Sequence, residues 1–240
     1  MLIRIDKYIS SQKQDISRKK VQELCKKGKV LVNGCVCKKS DIKVDSENDS
    51  VIVDGKEIYY KKHIYIMLNK PQGVVCSTRD GLSPTVLSLV PEELRRDGLF
   101  PAGRLDKDTE GFVLLTDDGE LAHRMLSPKS HVPKTYFVRL EKPYEDFYEQ
   151  KFLEGMTIDG DEKCLPAEFL PSSDNQFECK LILHEGKFHQ VKRMFKALNN
   201  KVIYLKRISI GNMELDGNLE CGKCLEILHK DVEKLLTHKD

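Results

Sequence analysis

The pattern of apolar and polar positions predicts a small helix-and-hairpin module at the N-terminus. Apolar residues recur at helical spacing at Leu2, Ile5, Tyr8 and Ile9. A second helix is predicted over 18–27, because Ser17 can cap its start and Gly28 can end it. Runs of Val and Leu at 30–32 and of Val and Ile at 51–53 predict two strands, and the Asn-Gly pair at 33–34 predicts a tight turn. About 58 residues are enough for such a module.

The remainder of the chain alternates short apolar runs with turn residues. Strands are predicted at 64–68, 112–115, 136–140, 177–183 and 202–210, and helices at 119–126, 144–153 and 189–198. Strands outnumber helices and most neighbours are expected to be antiparallel, so we expect an α+β fold with a mixed, largely antiparallel sheet. The polar stretch at 59–63 is taken as a linker, which gives domains at 1–58 and 64–240.

Charge separates the same two parts. The whole chain carries a net charge of +2, yet residues 1–40 hold eleven Lys and Arg against three acidic residues. Residues 1–62 are positive on balance and the rest is slightly negative. A basic module in front of a near-neutral body is typical of a polyanion-binding arm, although a solvated lysine-rich face would show the same pattern.

Several classes of protein are disfavoured by composition. No apolar run approaches the roughly 18 residues of a membrane helix, and residues 1–6 do not form a signal peptide. Eight cysteines without a secretory signal are expected to be free thiols in a cytoplasmic protein. The pairs at 35/37 and 221/224 lie too far apart in sequence to favour a zinc site.

The densest group of chemically useful residues is 103–119, where charged and small residues lead into an apolar strand. Asp106 lies between Arg104 and Lys107, whose charge would favour an ionised carboxylate that acts as a nucleophile or base. The alternative is a surface loop of salt bridges.

Two further segments carry candidate groups. In 185–195, Lys192 and Arg193 lie at the start of a predicted helix, where they could meet a carboxylate or phosphate. The same segment reads equally well as an amphipathic helix with Val191 on its core face. In 134–138, Tyr136 begins a strand and could stack on a base or simply belong to the core.

Together these segments resemble known families. Residues 4–9, 17–18, 28–34 and Lys39 resemble the S4 RNA-binding domain. Residues 68–73, 103–106 with Thr109 and Gly111, 134–136 and 185–195 resemble the RsuA/RluB/RluE/RluF family of pseudouridine synthases. Segments 65–78, 84–87 and 116–119 are most similar to its RsuA subgroup, which acts on 16S ribosomal RNA.

The resemblance implies roles for individual residues. It implies isomerisation of uridine to pseudouridine with no cofactor and no metal, started by Asp106 by one of three routes: attack at C1′, addition at C6, or removal of a ribose proton. Tyr136 would stack on the flipped base and could act in deprotonation at C5, while Lys192 would pair with Asp106. Val191 would pack on the base, and Arg104 would steer phosphate or support the loop. Arg193 would take part in substrate binding, and it is the nearest substitute for Lys192.

The resemblance also implies partners. RNA contacts are expected from the basic residues of the N-terminal module, namely Arg4, Arg18, Lys19, Lys20, Lys26, Lys27 and Lys29. The expected substrate is the uridine numbered 516 in standard 16S rRNA numbering, as free RNA or in a partly assembled small-subunit particle, bound by a monomer with no membrane partner. A 23S rRNA synthase of the same family and a non-catalytic rRNA-binding assembly factor are the alternatives. Binding alone does not require the set Asp106, Tyr136 and Lys192.

Overall fold

A computed structural model describes residues 1–13 and 15–237. The chain divides into two compact units, each with its own core. The first holds Met1–Ile64 together with the segment Glu92–Leu99, and the second holds Tyr65–Pro91 and the described residues from Phe100 onward. The inclusion of Glu92–Leu99 in the first unit has no signal in the sequence. The end of the predicted second domain, 238–240, lies outside the described residues.

The first unit contains two helices and two small sheets. Its elements are β1 (Leu2–Arg4), α1 (Ile5–Gln12), α2 (Arg18–Lys26), β2 (Val30–Val32), β3 (Cys35–Val36), β4 (Lys43–Asp45), β5 (Val51–Val53) and β6 (Lys56–Glu57). One sheet has the antiparallel order β3-β2-β5-β6, and β1 pairs with β4. A core of apolar side chains from both helices and the strands joins these elements.

Local sequence explains most of these boundaries. The Ser17 hydroxyl accepts a hydrogen bond from the backbone N–H of Lys20 at 3.2 Å and so caps α2. Asn33 and Gly34 both have positive φ, as the turn between β2 and β3 requires. The helical interpretation of Leu2 is wrong, because this residue lies in β1 and is exposed while its neighbour Ile3 is buried.

The second unit is built on one large sheet. Its strands are β7 (Tyr65–Lys70), β8 (Phe100–Ala102), β9 (Glu110–Thr116), β10 (Lys134–Leu140), β11 (Thr157–Ile158), β12 (Glu162–Lys163), β13 (Glu168–Pro171), β14 (Glu178–Leu183), β15 (Val202–Ile210), β16 (Met213–Glu214) and β17 (Cys224–Glu226). Its helices are α3 (Gly119–Leu126), α4 (Tyr148–Leu153) and α5 (Gln190–Ala197). Short 3-10 turns occur at Val86–Leu89, Pro128–Ser130 and His229–Leu235, and a further one at Glu92–Leu94 lies in the first unit.

The sheet order is β13-β14-β10-β15-β9-β7-β17, with β16 paired to β15 and β8 paired to β9. All these pairs are antiparallel except β9 with β15, which is parallel. The predicted mixed, largely antiparallel sheet is therefore confirmed. The small hairpin of β11 and β12 stands apart from it.

One predicted helix begins later than its pattern suggested. The segment predicted as helical from 144 forms a helix only from Tyr148, in α4. Tyr144 is instead held outside the helix, because its N–H donates to the Gln176 carbonyl and its hydroxyl to the Ser172 carbonyl.

Close packing at the centre of the sheet fixes the start of β9. Gly111 lies opposite Arg207 of β15 and has φ +103°, a conformation that favours glycine. A Cβ atom at this position would lie 2.2 Å from the Arg207 carbonyl oxygen. β9 can therefore approach β15 only because this residue is glycine, and the loop that precedes β9 is held in place as a result.

None of the helices in residues 1–13 and 15–237 combines the length and the apolar character that a membrane crossing requires.

Candidate active site

Asp106 lies in the loop between β8 and β9, just before the start of the central strand β9. Its neighbour Leu105 is buried, and the Leu105 N–H donates to the Sγ atom of Cys76 at 3.3 Å. The Asp106 carbonyl accepts from the Thr109 N–H at 3.1 Å, which closes a turn. The Asp106 carboxylate itself remains 25% exposed. The loop is thus fixed through its backbone while it presents a carboxylate to solvent.

A buried ammonium group organises this loop. Lys70, the last residue of β7, is fully buried. Its Nζ atom donates to the carbonyls of Pro71 at 3.0 Å, Asp106 at 3.0 Å, Lys107 at 3.4 Å and Thr109 at 2.7 Å. Burial lowers the pKa of Lys70 below its usual range. The carbonyl oxygens supply the hydrogen bonds that a buried ammonium requires, and they tie the backbone of Asp106 to the sheet.

Lys192 of α5 brings a second ammonium to the carboxylate. Its Nζ atom lies 3.0 Å from Asp106 Oδ2 and 2.6 Å from Asp108 Oδ1. Partial burial acts to lower the pKa of Lys192, but the hydrogen bonds to Asp108 and Asp106 outweigh it and the pKa is raised. Burial likewise opposes ionisation of Asp108, whose pKa is nevertheless lowered by the bond from Lys192. Lys192 therefore stays charged and shared between two carboxylates.

His189 approaches the other oxygen of the same carboxylate. Its Nε2 atom lies 3.4 Å from Asp106 Oδ1. His189 precedes α5 and has φ +49°, so its side chain leaves the backbone from a left-handed conformation. Lys192 of α5 therefore donates to one oxygen of the Asp106 carboxylate, and His189, the residue before α5, lies beside the other oxygen.

Tyr136 lies in the same sheet but not in this ion-pair cluster. Tyr136 lies opposite Arg207 of β15, which in turn lies opposite Gly111 of β9. Gly111 follows Asp106 by five residues. The Tyr136 side chain is half-buried and packs against the apolar cluster of α4, α5 and β14. Within the described part of the chain, no hydrogen bond joins Tyr136 to Asp106 or Lys192.

The other predicted residues of this region have different surroundings. Arg193 donates to Asp159 Oδ2 at 2.5 Å and to Glu162, both near the small hairpin of β11 and β12. The alternative in which Arg193 replaces Lys192 beside Asp106 therefore does not fit this arrangement. Val191 is 4% exposed within the core, as the amphipathic-helix interpretation expects. Arg104 is exposed two residues before Asp106.

The predicted RNA-binding residues are all exposed on the first unit; they are Arg4, Arg18, Lys19, Lys20, Lys26, Lys27 and Lys29. Some have acidic partners within the unit, since Arg4 pairs with Asp6 at 2.8 Å and Lys29 with Asp54 at 2.6 Å. Arg18 and Lys19, in the first turn of α2, form no ion pair within the described residues.

Three contributors to the site were not predicted from sequence: Lys70, Asp108 and His189. Lys70 carried a partial signal, because it ends a strand that begins with Tyr-Ile-Met-Leu and a buried ammonium there must find polar partners, although the sequence does not show which ones. Asp108 and His189 carry no such signal, since their importance depends on the approach of α5 to a loop about 80 residues earlier.

The cysteines are free thiols, as expected. Within residues 1–13 and 15–237, no group of three or more His, Cys, Asp or Glu side chains is placed to hold a metal ion.

Comparison with known proteins agrees with this architecture. The family model described as RNA pseudouridylate synthase matches residues 64–197, and the S4 domain model matches residues 3–51. A Bacillus subtilis protein named uncharacterized RNA pseudouridine synthase YtzG is 43% identical over 97% of this chain and 98% of its own length. The Haemophilus influenzae protein named ribosomal small subunit pseudouridine synthase A is 38% identical over 98% of this chain and 100% of its own. A crystal structure titled pseudouridylate synthase, 38% identical, covers 97% of this chain and 99% of its own with a TM-score of 0.67.

The fold and the site define an enzyme that carries an RNA-binding module. In its larger unit, a loop carboxylate lies between a lysine and a histidine. The chain belongs to the RNA pseudouridylate synthase family, with an S4 domain preceding the synthase domain. The fold class, the family and the enzyme class predicted from the sequence are thereby confirmed.

Proposed function

We propose that this enzyme converts one uridine of 16S ribosomal RNA to pseudouridine, and that the uridine is the one numbered 516. The observation that carries the proposal is the Asp106–Lys192 ion pair on a loop anchored by buried Lys70. The choice of 16S RNA is supported by relatives named ribosomal small subunit pseudouridine synthase A, which match nearly the full length of this chain.

In the proposed reaction, the N1–C1′ glycosidic bond breaks, the uracil turns, and a C5–C1′ bond forms. The C5 proton is lost and N1 gains a proton, so atoms balance without any co-reactant. Asp106 starts the cleavage, and Lys192 orients its carboxylate through Oδ2. The target uridine must leave its stack to reach this carboxylate.

Tyr136 is proposed to stack on the flipped base and to assist deprotonation at C5. Its place opposite Arg207 supports this role, because Arg207 lies opposite Gly111 at the start of β9, directly after the Asp106 loop. Val191 lies in α5 next to Lys192, although its burial leaves it little surface for direct contact with the base. Exposed Arg104 is proposed to meet a phosphate.

Arg193 supports the site indirectly in this proposal. Its guanidinium joins the start of α5 to Asp159 and Glu162, so it has few donors left for substrate. It thereby helps to hold the helix that carries Lys192.

RNA affinity is proposed to depend on the basic face of residues 1–58, with 59–63 as linker and 64–240 as the catalytic domain. The exposed charges of α2 support this assignment, since phosphate contacts need accessible Lys and Arg. We propose that the enzyme acts as a monomer in the cytoplasm, on free 16S RNA or on a partly assembled small-subunit particle.

The substrate can be tested directly. The purified enzyme is incubated with 16S transcript, with 23S transcript and with protein-bound 16S RNA, and pseudouridine is mapped by carbodiimide labelling and reverse-transcription stops. One new stop at position 516 in either form of 16S RNA is the expected result. A stop in 23S RNA alone would refute the 16S assignment, and no stop in any substrate would refute the proposed function.

A further inference from the structure

Phe188 presents an aromatic ring beside the candidate active site. The residue is 73% exposed, more than any other Phe or Tyr side chain in the described residues. The ring thus presents an apolar, planar surface to solvent close to the Asp106 carboxylate.

One face of this ring is already stacked. The Phe188 and His189 rings have centroids 3.8 Å apart and planes inclined by 19°. The His189 imidazole in turn reaches Asp106, with Nε2 3.4 Å from Oδ1. The phenyl ring is therefore separated from the catalytic carboxylate by a single aromatic side chain.

The backbone at this point is held firmly. The Phe188 carbonyl accepts a hydrogen bond from Arg193 Nη1 at 2.9 Å, and Arg193 is fixed by Asp159 and Glu162. His189 has a left-handed conformation at φ +49°. A surface aromatic ring with an anchored backbone loses little conformational entropy when a planar ligand stacks on it.

We propose that Phe188 is a stacking platform for a nucleobase of the substrate RNA that neighbours the flipped uridine. The inference rests on the proposed function, because a planar, uncharged π-surface close to Asp106 is suited to a base adjacent to the reacting nucleotide. Stacking on an aromatic side chain does not depend on the identity of the base. Phe188 therefore contributes affinity and holds the flanking strand, and it does not select the target by hydrogen bonding.

The test uses full-length enzyme with Phe188→Leu, which removes the π-surface, and Phe188→Tyr, which keeps it. Phe177→Leu is the matched control, because Phe177 is also exposed but forms no ring contact within the described residues. Dissociation constants are measured with a 16S RNA fragment that contains the target uridine. In parallel fragments, 2-aminopurine replaces the base on the 5′ or the 3′ side of that uridine, and its fluorescence reports stacking. Thermal unfolding checks that each variant is folded.

We expect Phe188→Leu to weaken binding roughly 10-fold and to abolish the quenching of one of the two 2-aminopurine probes. Phe188→Tyr and Phe177→Leu should bind and quench like the wild type. If Phe188→Leu binds the RNA within twofold of the wild type and quenches each of the two probes as strongly as the wild type does, the inference is overturned.

Pseudouridine formation by the wild type is measured on the same RNA, so that the two hypotheses fail separately. Loss of affinity and quenching in Phe188→Leu, without any pseudouridine from the wild type, would refute the proposed function and keep the stacking platform. Pseudouridine formation by the wild type, together with unchanged binding and quenching by Phe188→Leu, would keep the proposed function and refute the stacking platform.

Discussion

Replacement of Lys70 by methionine removes the ammonium that joins the Asp106 loop to β7. Methionine has nearly the same length and fits an apolar environment, so the substitution mainly deletes hydrogen bonds. Four carbonyls lose their partner, and those of Pro71, Asp106 and Thr109 are the closest, at 2.7–3.0 Å.

The expected loss follows from these contacts. Hydrogen bonds to a charged group contribute about 1.5–3 kcal/mol each, so three of them total roughly 5–9 kcal/mol. Removal of a buried ammonium returns several kcal/mol of desolvation free energy. A net decrease of about 3 kcal/mol in the free energy of unfolding is expected. If the Asp106 carboxylate moves by about 1 Å, the rate of pseudouridine formation should also fall on the order of 100-fold.

Urea unfolding and single-turnover pseudouridine formation measure the two effects. Lys107→Met is the control, because the Lys107 side chain lies in the same loop but is exposed, and among the described residues its ammonium donates only to the Ser83 hydroxyl, at 3.0 Å. Its stability should change by less than about 0.5 kcal/mol. If Lys70→Met were as stable and as active as Lys107→Met, the buried ammonium would not organise the loop and the reasoning would be refuted.

Three further predictions concern packing, pH and RNA binding. Gly111→Ala places a methyl group 2.2 Å from the Arg207 carbonyl at a positive φ, so chemical denaturation should show a loss of about 3 kcal/mol or more. The pKa of Lys134 is lowered to about 8, mainly by burial and also by Arg207. The unfolded chain therefore binds more protons between pH 8 and about 10.4, and stability should rise with pH across that window. Lys134→Met should lack the rise and exceed wild-type stability at pH 7 by up to roughly 3 kcal/mol. The double substitution Arg18→Glu with Lys19→Glu should weaken RNA binding. It should also make the slope of the logarithm of the binding constant against the logarithm of salt concentration shallower by about 1 or more.

Matched controls separate these effects from general damage. Gly119→Ala should leave stability nearly unchanged, because a Cβ atom there meets no atom within 4 Å. Lys151→Glu, on exposed α4 surface in the second unit, should leave the salt dependence of RNA binding unchanged. A flat stability profile for wild type between pH 8 and 10 would contradict the interpretation of Lys134.

Periodicity predicted the regular elements well where local signals were strong. The bounds of α3 and β15 agree with the predictions, because a helix capped by Asp118 and a long strand rich in Val and Ile are specified by nearby residues. Leu2 was misplaced because strand pairing of β1 with β4 overrides its helical spacing. Such pairing depends on residues about 40 positions away, which a local pattern does not contain.

The site was predictable only in part. Asp106 and Lys192 could be proposed as partners from the family resemblance, although 86 positions separate them in sequence. Lys70 and His189 could not be given roles from spacing, because their contacts arise from how β7 and α5 meet one loop. Arg193 was assigned to the substrate because sequence shows a charge but not the carboxylates that it meets.

The central claim is that Asp106 performs chemistry that RNA binding alone does not need. Asp106→Asn keeps the size of the side chain and removes its charge, so single-turnover pseudouridine formation and RNA affinity can be compared on one 16S substrate. We predict that formation falls below detection while the dissociation constant stays within about threefold of wild type. Pseudouridine formation by Asp106→Asn at a rate within tenfold of wild type would contradict the account.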